Sequence, residues 1–468
     1  MPTLKKGLDY EGKVIKSIYP NKGIVECEGE KIAVKNVLEG QKVSFRLSKV
    51  RNGRHEGKLI DVIERSPIET QEPFCPHFEF CGGCTYQRLS YEDLLNMKAD
   101  QVKTILDEAI NGQYDYEFMG IAASPNEKAY RNKMEFSFGD SCKDGELTLG
   151  LHKAGSFYDI LQITDCKITN DDYNIIVRFT IELCREWGLT YCHKMSHEGY
   201  LRHLLIRRAA TTGEILVNIV TTSQWASKTK EILDDEEHFL KEYTDGLLAL
   251  NLNGSIVGIL HSINDDPADA VKADKTLILH GKDFFFEEIL GQIFKITTFS
   301  FFQTNSFGAE VLYKIVRDFV GDTKDKDVFD LYSGTGTIAQ ILAPVAKSVT
   351  GVEIVPEAVE SAKMNAALNL LSNCEFICGD VLKVLDDLKT KPDLIVLDPP
   401  REGIHPKALT KIINYGVDTI VYVSCKPTSL ARDLEMLNAN GYRVVKAKCC
   451  DMFPWTVHVE TVVQLKRS

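Results

Sequence analysis

Between Lys13 and Ile63 the chain alternates apolar and polar positions in five short runs: Lys13–Ile18, Gly23–Cys27, Lys31–Val34, Gln41–Leu47 and Gly57–Ile63. A period of two marks strands with one buried face, and turns such as Asn21-Lys22-Gly23 and Gly29-Glu30 separate them. Five strands in about 55 residues predict a small OB-like barrel, a common RNA-binding module. Residues 66–88 lack periodicity and read as a loop. Residues 91–112 read as a helix ending at Asn111-Gly112. Residues 115–298 mix alternating β patterns with an amphipathic helix over Asp171–Gly188. Strands over Arg202–Ala209 and Glu214–Thr221 flank Ala210-Thr-Thr-Gly213, a hairpin signal. From about residue 310 strand and helix signals alternate to the end, which predicts βαβ units and a parallel sheet.

The fold class expected is α/β: a C-terminal Rossmann-like domain over 299–468, an N-terminal OB-like barrel over 1–65, and a central α+β domain over 66–298. No run of about eighteen apolar residues predicts a membrane span, and the N-terminal segment lacks the apolar core of a signal peptide. A cytoplasmic monomer is expected. The chain has 468 residues, 44% hydrophobic, enough for several cores. Its net charge of -12 argues against nucleic acid, but the distribution changes that picture. Residues 1–65 hold 14 Lys and Arg against 9 Asp and Glu, a basic end on an acidic body that can place a local patch on phosphates. Tyr130-Arg131-Asn132-Lys133 and the strand carrying His203, Arg207 and Arg208 are further candidates for RNA contact.

Chemistry enters at four places. Asp330-Leu-Tyr-Ser-Gly334-Thr-Gly336 ends a strand in a glycine turn before a helix, the first βα turn of a nucleotide-type fold. The next strand ends in Glu353, where a carboxylate can accept from ribose hydroxyls, and a third ends in Asp380. The dinucleotide fingerprint is only approximated, and the phosphate-loop motif of triphosphatases is missing. The fourth strand ends in Asp398-Pro399-Pro400-Arg401, at the carboxyl edge where ligands bind in open α/β sheets. Finally Thr419–Ser424 reads as a buried strand followed by Cys425-Lys426-Pro427-Thr428-Ser429, a helix start with Ser and Thr suited to its cap. A helix dipole and an adjacent lysine are expected to lower the Cys425 pKa and favour the nucleophilic thiolate.

Thirteen cysteines in a reducing compartment are not expected to form disulfides. Cys75, Cys81 and Cys84 share one glycine-bearing loop and could hold zinc or an iron–sulfur cluster. A fourth ligand is needed. Cys166 is the best candidate, and Cys142 competes from a polar turn. The remaining cysteines (27, 184, 192, 374, 378, 449, 450) read as core fillers.

FFQTN (301–305), DLYSGTG (330–336), LDPPREG (397–403), VYVSCKPTSLARD (421–433) and DMFPWTVHVE (451–460) together resemble the RNA (uracil-5-)-methyltransferases of the RumA/TrmA type. The resemblance is dense over the last 170 residues and thinner upstream, where the barrel looks like a TRAM domain. It implies that Gln303, Tyr332, Glu353 and Asp398 hold S-adenosylmethionine, with Asp380 a weaker candidate for adenine. It implies Cys425 as nucleophile and Glu460 as proton acceptor, with His458 the rival. It implies a [4Fe–4S] cluster on Cys75, Cys81, Cys84 and Cys166, zinc being the less favoured occupant. Family tRNA enzymes of the TrmA type lack both barrel and cluster, so the resemblance points to 23S ribosomal RNA as partner. Transfer to tRNA uracil and transfer to an exocyclic amine of RNA are the alternatives. A non-enzymatic RNA chaperone is the remaining reading. The family usually has Ser-Cys-Asn-Pro where this chain has Ser424-Cys425-Lys426-Pro427.

Overall fold

The computed structural model describes residues 4–51, 54–225, 236–268, 273–387 and 391–468. The N-terminal strands β1 (Asp9–Ile18), β2 (Lys22–Cys27), β3 (Glu30–Lys35), β4 (Lys42–Arg51) and β5 (Arg54–Glu64) close into a barrel in the order β1-β2-β3-β5-β4. The inward positions of the two-residue period, among them Val14, Val25, Ile32, Val34, Val43 and Phe45, form its core. This is the expected OB-like barrel.

Helix α1 (Tyr91–Ile110) starts at Ser90, whose hydroxyl accepts from Asp93 N, and ends at Asn111 in the left-handed region. It is followed by β6 (Glu117–Ala122). The apolar stripe of α1, Leu94, Val102, Leu106 and Ile110, is buried. Each such side chain contributes on the order of 2 kcal/mol by leaving water.

A seven-stranded sheet forms next, from β7 (Lys133–Asp140), β8 (Leu147–His152), β9 (Ile160–Gln162), β10 (Leu201–Arg208), β11 (Glu214–Thr221), β12 (Ser255–Ile263) and β13 (Lys275–Gly281), in the order β13-β12-β11-β10-β7-β8-β9. Helices α2 (Asp171–Glu186) and α3 (Glu236–Leu248) contribute to the same apolar core. The β10–β11 hairpin and α2 are as expected, and α3 is a further helix that the periodicity does not announce. A two-stranded ribbon, β14 (Phe284–Ile289) and β15 (Gln292–Thr297), leads into the C-terminal unit.

That unit contains α4 (Ser306–Val320), β16 (Thr323–Leu331), α5 (Thr337–Leu342), β17 (Ala346–Glu353), α6 (Pro356–Leu368), β18 (Cys374–Cys378), α7 (Val381–Asp387), β19 (Leu394–Leu397), α8 (Pro406–Tyr415), β20 (Thr419–Ser424), α9 (Pro427–Ala439), β21 (Tyr442–Cys450) and β22 (Glu460–Arg467). Its sheet order is β18-β17-β16-β19-β20-β22-β21-β6. β16 to β20 run parallel, as the alternating pattern predicts, and β22 is antiparallel to both β20 and β21.

The edge beyond β21 is taken by β6, parallel to it, and α1 packs its stripe into the same core as α9 and β20. Residues expected in a single central unit over 66–298 are therefore divided. α1 and β6 belong to the C-terminal body because β6 takes the free backbone edge of β21 and α1 shares the core of α9 and β20. No helix among the described residues is long and apolar enough to cross a membrane.

Candidate active site

β16, β17, β19 and β20 all end at one edge of the sheet, and the candidate residues follow those ends. β16 ends in Leu331, and Tyr332 follows in the left-handed region with φ 67°. Gly334 (φ 54°) and Gly336 (φ 72°) then turn the chain into α5. A Cβ on Gly336 would meet the Phe376 ring at 2.4 Å, so its glycine is a packing requirement. A Cβ on Gly334 would meet nothing within 4 Å, so that side of the turn faces open space. The Glu353 carboxylate at the end of β17 accepts from Gly334 N at 3.0 Å and from Ile354 N and Val355 N at 2.9 Å. Asp380 accepts from Leu382 N at 2.9 Å at the start of α7. Asp330 is fully buried. One of its carboxylate oxygens accepts from Ala339 N, the other has no partner, and burial holds its pKa well above the carboxylate range.

The catalytic candidates meet where β20 and β22 pair. Ser424 faces Thr461 across the antiparallel ladder, which brings Cys425 and Glu460, the next residue on each strand, side by side. Cys425, Glu460 and Asp398 lie within electrostatic reach of one another, with Arg401 beside them. The Glu460 pKa is raised to about 8, first by burial and then by the Asp398 charge, against the pull of Arg401. Burial raises Asp398 to about 7.

The Cys425 thiol is raised to about 11, by burial and then by the charges of Glu460 and Asp398, with Arg401 opposing. The direction is opposite to the expected lowering, because burial and then the carboxylates of Glu460 and Asp398 act against ionisation of the thiol. The cap differs as well. Lys426 is the N-cap of α9 with no side-chain cap bond, and Ser424 Oγ instead accepts from Lys426 N at 3.2 Å. His458 is pushed down to about 4, first by burial and then by Arg401, Lys98 and Arg131, so it is a neutral imidazole packed edge-on to Phe453.

Side chains from distant segments hold the loop that leads to Glu460, and one of them, Lys98, carries no expectation from the sequence. Lys98, on the buried stripe of α1, donates to Asp451 at 2.7 Å, to His458 O at 2.8 Å and to Phe453 O at 3.3 Å. Helical spacing alone would place an apolar residue there, so a lysine on that stripe was the available signal. Tyr130 donates to Pro454 O at 3.1 Å, and Trp455 donates to Glu127 O at 2.8 Å. The Asn305 side chain caps α4 and also donates to Met452 O at 2.9 Å. Asn132 donates to Gln303 O at 2.9 Å, while the Gln303 side chain hydrogen-bonds the buried Tyr313.

Tyr130 and Asn132, expected to face RNA, are therefore internal struts. The arginines of β10 are equally occupied. Arg207 is buried and donates to the carbonyls of Thr298 and Ser300, and Arg208 pairs with Asp172.

The segment bearing Cys166 lies against the loop of Cys75, Cys81 and Cys84. His77 Nε2 and Asp165 Oδ1 stand 2.5 Å apart and clamp the cysteine loop to the segment bearing Cys166. Each of Cys75, Cys81 and Cys84 interacts electrostatically with Cys166, and burial raises all three thiols, Cys84 to about 12. Cys142 is exposed in its turn. Among the described residues no group of three or more His, Cys, Asp or Glu side chains is placed so that it could hold a metal ion, so the four cysteines are not drawn together as the expected ligand set. Of the cysteines read as core fillers, Cys378 is exposed at a strand end. The cysteine loop is hydrogen-bonded to the loop that leads into β22: Thr85 N and Tyr86 N donate to Trp455 O at 2.7 and 3.1 Å.

Residues 269–468 match the family model described as tRNA (uracil-5-)-methyltransferase. An uncharacterized RNA methyltransferase of Clostridium tetani is 49% identical over 466 residues, 99% of each chain. One from Caldanaerobacter subterraneus is 46% identical, over 99% of this chain and all of the relative. The solved tRNA (uracil-54, C5)-methyltransferase of Pyrococcus abyssi, in complex with S-adenosyl-L-homocysteine, superposes with a TM-score of 0.73. It is 25% identical and covers 97% of this chain and 100% of its own.

Proposed function

The chain belongs to the S-adenosylmethionine-dependent RNA methyltransferases of the uracil-5 family, and we propose that it methylates carbon 5 of a uridine in 23S ribosomal RNA through a covalent adduct of Cys425. The observation that carries this reading is the pairing of a thiol and a carboxylate on adjacent strand ends. Carbon 5 of uracil is a weak nucleophile. Addition of the Cys425 thiolate to carbon 6 makes the ring an enolate, whose carbon 5 can take a methyl group. S-adenosylmethionine supplies that methyl on a sulfonium and leaves as S-adenosylhomocysteine. Glu460 then accepts the carbon 5 proton, and elimination of the thiolate restores the double bond. A base with a pKa near 8 is matched to work near neutral pH.

Gln303, Tyr332, Glu353 and Asp398 would hold the methyl donor. The open side of the Gly334 turn and the unpartnered oxygen of Asp330 suit a polar ligand at that edge. Glu353 keeps acceptor capacity for a ribose hydroxyl beyond its three backbone bonds.

The basic N-terminal barrel supports an RNA substrate, and the family resemblance points to ribosomal RNA. A tRNA substrate is the second reading, because the tRNA enzyme of Pyrococcus abyssi spans nearly this whole chain. Mass spectrometry of 23S ribosomal RNA and tRNA from a strain lacking the gene decides between them. Loss of 5-methyluridine from one or more 23S fragments, with tRNA unchanged, is expected. Loss confined to tRNA overturns the ribosomal assignment.

Cys75, Cys81, Cys84 and Cys166 would hold a [4Fe–4S] cluster. What supports this reading is the single loop that carries three of the thiols and the His77–Asp165 contact that ties it to the segment bearing Cys166. Protein purified without oxygen should be brown, with broad absorption near roughly 400 nm, and Cys84→Ser should remove the colour and the iron. A colourless protein containing zinc would overturn the assignment.

A further inference from the structure

The turn between β1 and β2 carries Tyr19-Pro20-Asn21, a part of the barrel that its own core does not use. Tyr19 is absent from the barrel cluster. It is half-buried between exposed Ile18 and Pro20, and among the described residues of 1–65 it alone packs against the core cluster containing Val459, Leu430, Ile404 and α1. The turn is held there by Tyr86, a buried residue of the cysteine loop. Its hydroxyl donates to Pro20 O at 3.0 Å and lies 3.3 Å from Asn21 Oδ1, while its backbone N donates to Trp455 O at 3.1 Å. A single residue, through its hydroxyl and its backbone N, thus links the barrel tip to the loop that leads to Glu460. Asn21 Nδ2 donates to Asn36 Oδ1 at 2.9 Å, which keeps the tip in register with the barrel.

We propose that Tyr19 is a positioning residue of the methylation site: the barrel presents its ring as one wall of the pocket in which Cys425 and Glu460 meet the target pyrimidine. The inference rests on the uracil reading above and adds a residue to that site. Its hydroxyl has no hydrogen-bond partner among the described residues, so the ring is the working part. The phenol pKa is raised to about 12, first by burial and then by the charges of Cys425 and Glu460, which keeps that wall neutral beside both catalytic groups. An aromatic face at that place can stack a base withdrawn from its helix, and it excludes water from the thiolate and the enolate. The barrel is then part of the catalytic pocket as well as a handle for RNA.

Single-turnover methyl transfer from labelled S-adenosylmethionine to the RNA substrate tests this with Tyr19→Ala, Tyr19→Leu and Tyr19→Phe in the full-length protein. Tyr19→Ala and Tyr19→Leu should lower the rate at saturating RNA by roughly tenfold or more, as loss of a base-stacking ring does, while RNA binding at fixed salt changes less than the rate. Tyr19→Phe should stay near the parent. Tyr19→Leu keeps buried apolar surface, so its loss of rate cannot be assigned to unfolding if its melting temperature matches that of Tyr19→Phe. An unchanged or increased rate in Tyr19→Leu overturns the proposal, as does a change in RNA binding alone. Cys425→Ala is run in parallel. If it remains active, the uracil reading has failed. If it is inactive while Tyr19→Leu is fully active, only the role of Tyr19 has failed.

Discussion

Cys425→Ala is expected to abolish methyl transfer, by on the order of 10⁴-fold or more, because removing a covalent nucleophile leaves only binding and positioning. Binding of S-adenosylmethionine should be little changed, since the proposed donor contacts lie on other strand ends. The quantity to measure is labelled methyl incorporated into RNA under single-turnover conditions, with calorimetry for the donor. Retained activity would move the reaction to an amine acceptor, which needs no thiol. In the parent enzyme the resting thiol is held up to about 11 and Glu460 to about 8. Both working groups act in their deprotonated forms, so the rate should climb with pH between about 6 and 9. A rate that is flat over that range would mean that the bound substrates reset both groups.

Glu460→Gln should have two large and opposite effects. The variant can still form the thiol adduct and methylate carbon 5, but it cannot remove the proton that allows elimination. A protein–RNA species resistant to denaturing gel electrophoresis should therefore accumulate while turnover falls by roughly 10²–10⁴-fold.

The same variant should be more stable than the parent. The folded-state pKa of Glu460 is about 8 against 4.5 for the free side chain, so the folded form keeps a proton that the unfolded chain releases. Stability is then full below about pH 4.5 and falls as pH rises toward 8. Asp398, raised to about 7, acts in the same direction. Glutamine has no such proton to lose. The melting temperature of Glu460→Gln should exceed that of the parent by a margin that widens from pH 5 to pH 8, reflecting on the order of a few kcal/mol. Equal melting curves at pH 8 would show that the carboxyl is not desolvated in the folded protein.

The parts of this molecule that the sequence disclosed are those governed by local rules. A period of two with glycine turns is enough to specify five barrel strands, and strand–turn–helix alternation specifies β16 to β20. The motif ends Glu353, Asp398 and Cys425 fall at one sheet edge because parallel strands share a direction. What stayed hidden depends on partners far apart in the chain. The Cys425 pKa is set by Glu460 and Asp398, which no segment around Cys425 contains. Arg207 and Tyr130 are polar in sequence and look available for phosphate, yet carbonyls of distant loops had already claimed them. Tyr19 lies just past the first alternating run, and the apolar neighbours it meets outside the barrel come from residues far along the chain. Lys98 breaks an apolar stripe because its three acceptors lie some 350 residues away.

The outer strand of the catalytic sheet carries a consequence for how the protein is made. β6 ends at Ala122, and its ladder partner β21 spans Tyr442–Cys450. At roughly 5–20 residues per second of synthesis, β6 and the apolar stripe of α1 wait on the order of half a minute before their partners leave the ribosome. The catalytic body therefore cannot be completed as its segments emerge. A fragment beginning near residue 299 would expose the bare edge of β21 and the groove that α1 fills. The residues that match the family model, 269–468, leave out this helix and strand, so the unit that can fold and resist aggregation is longer than that match.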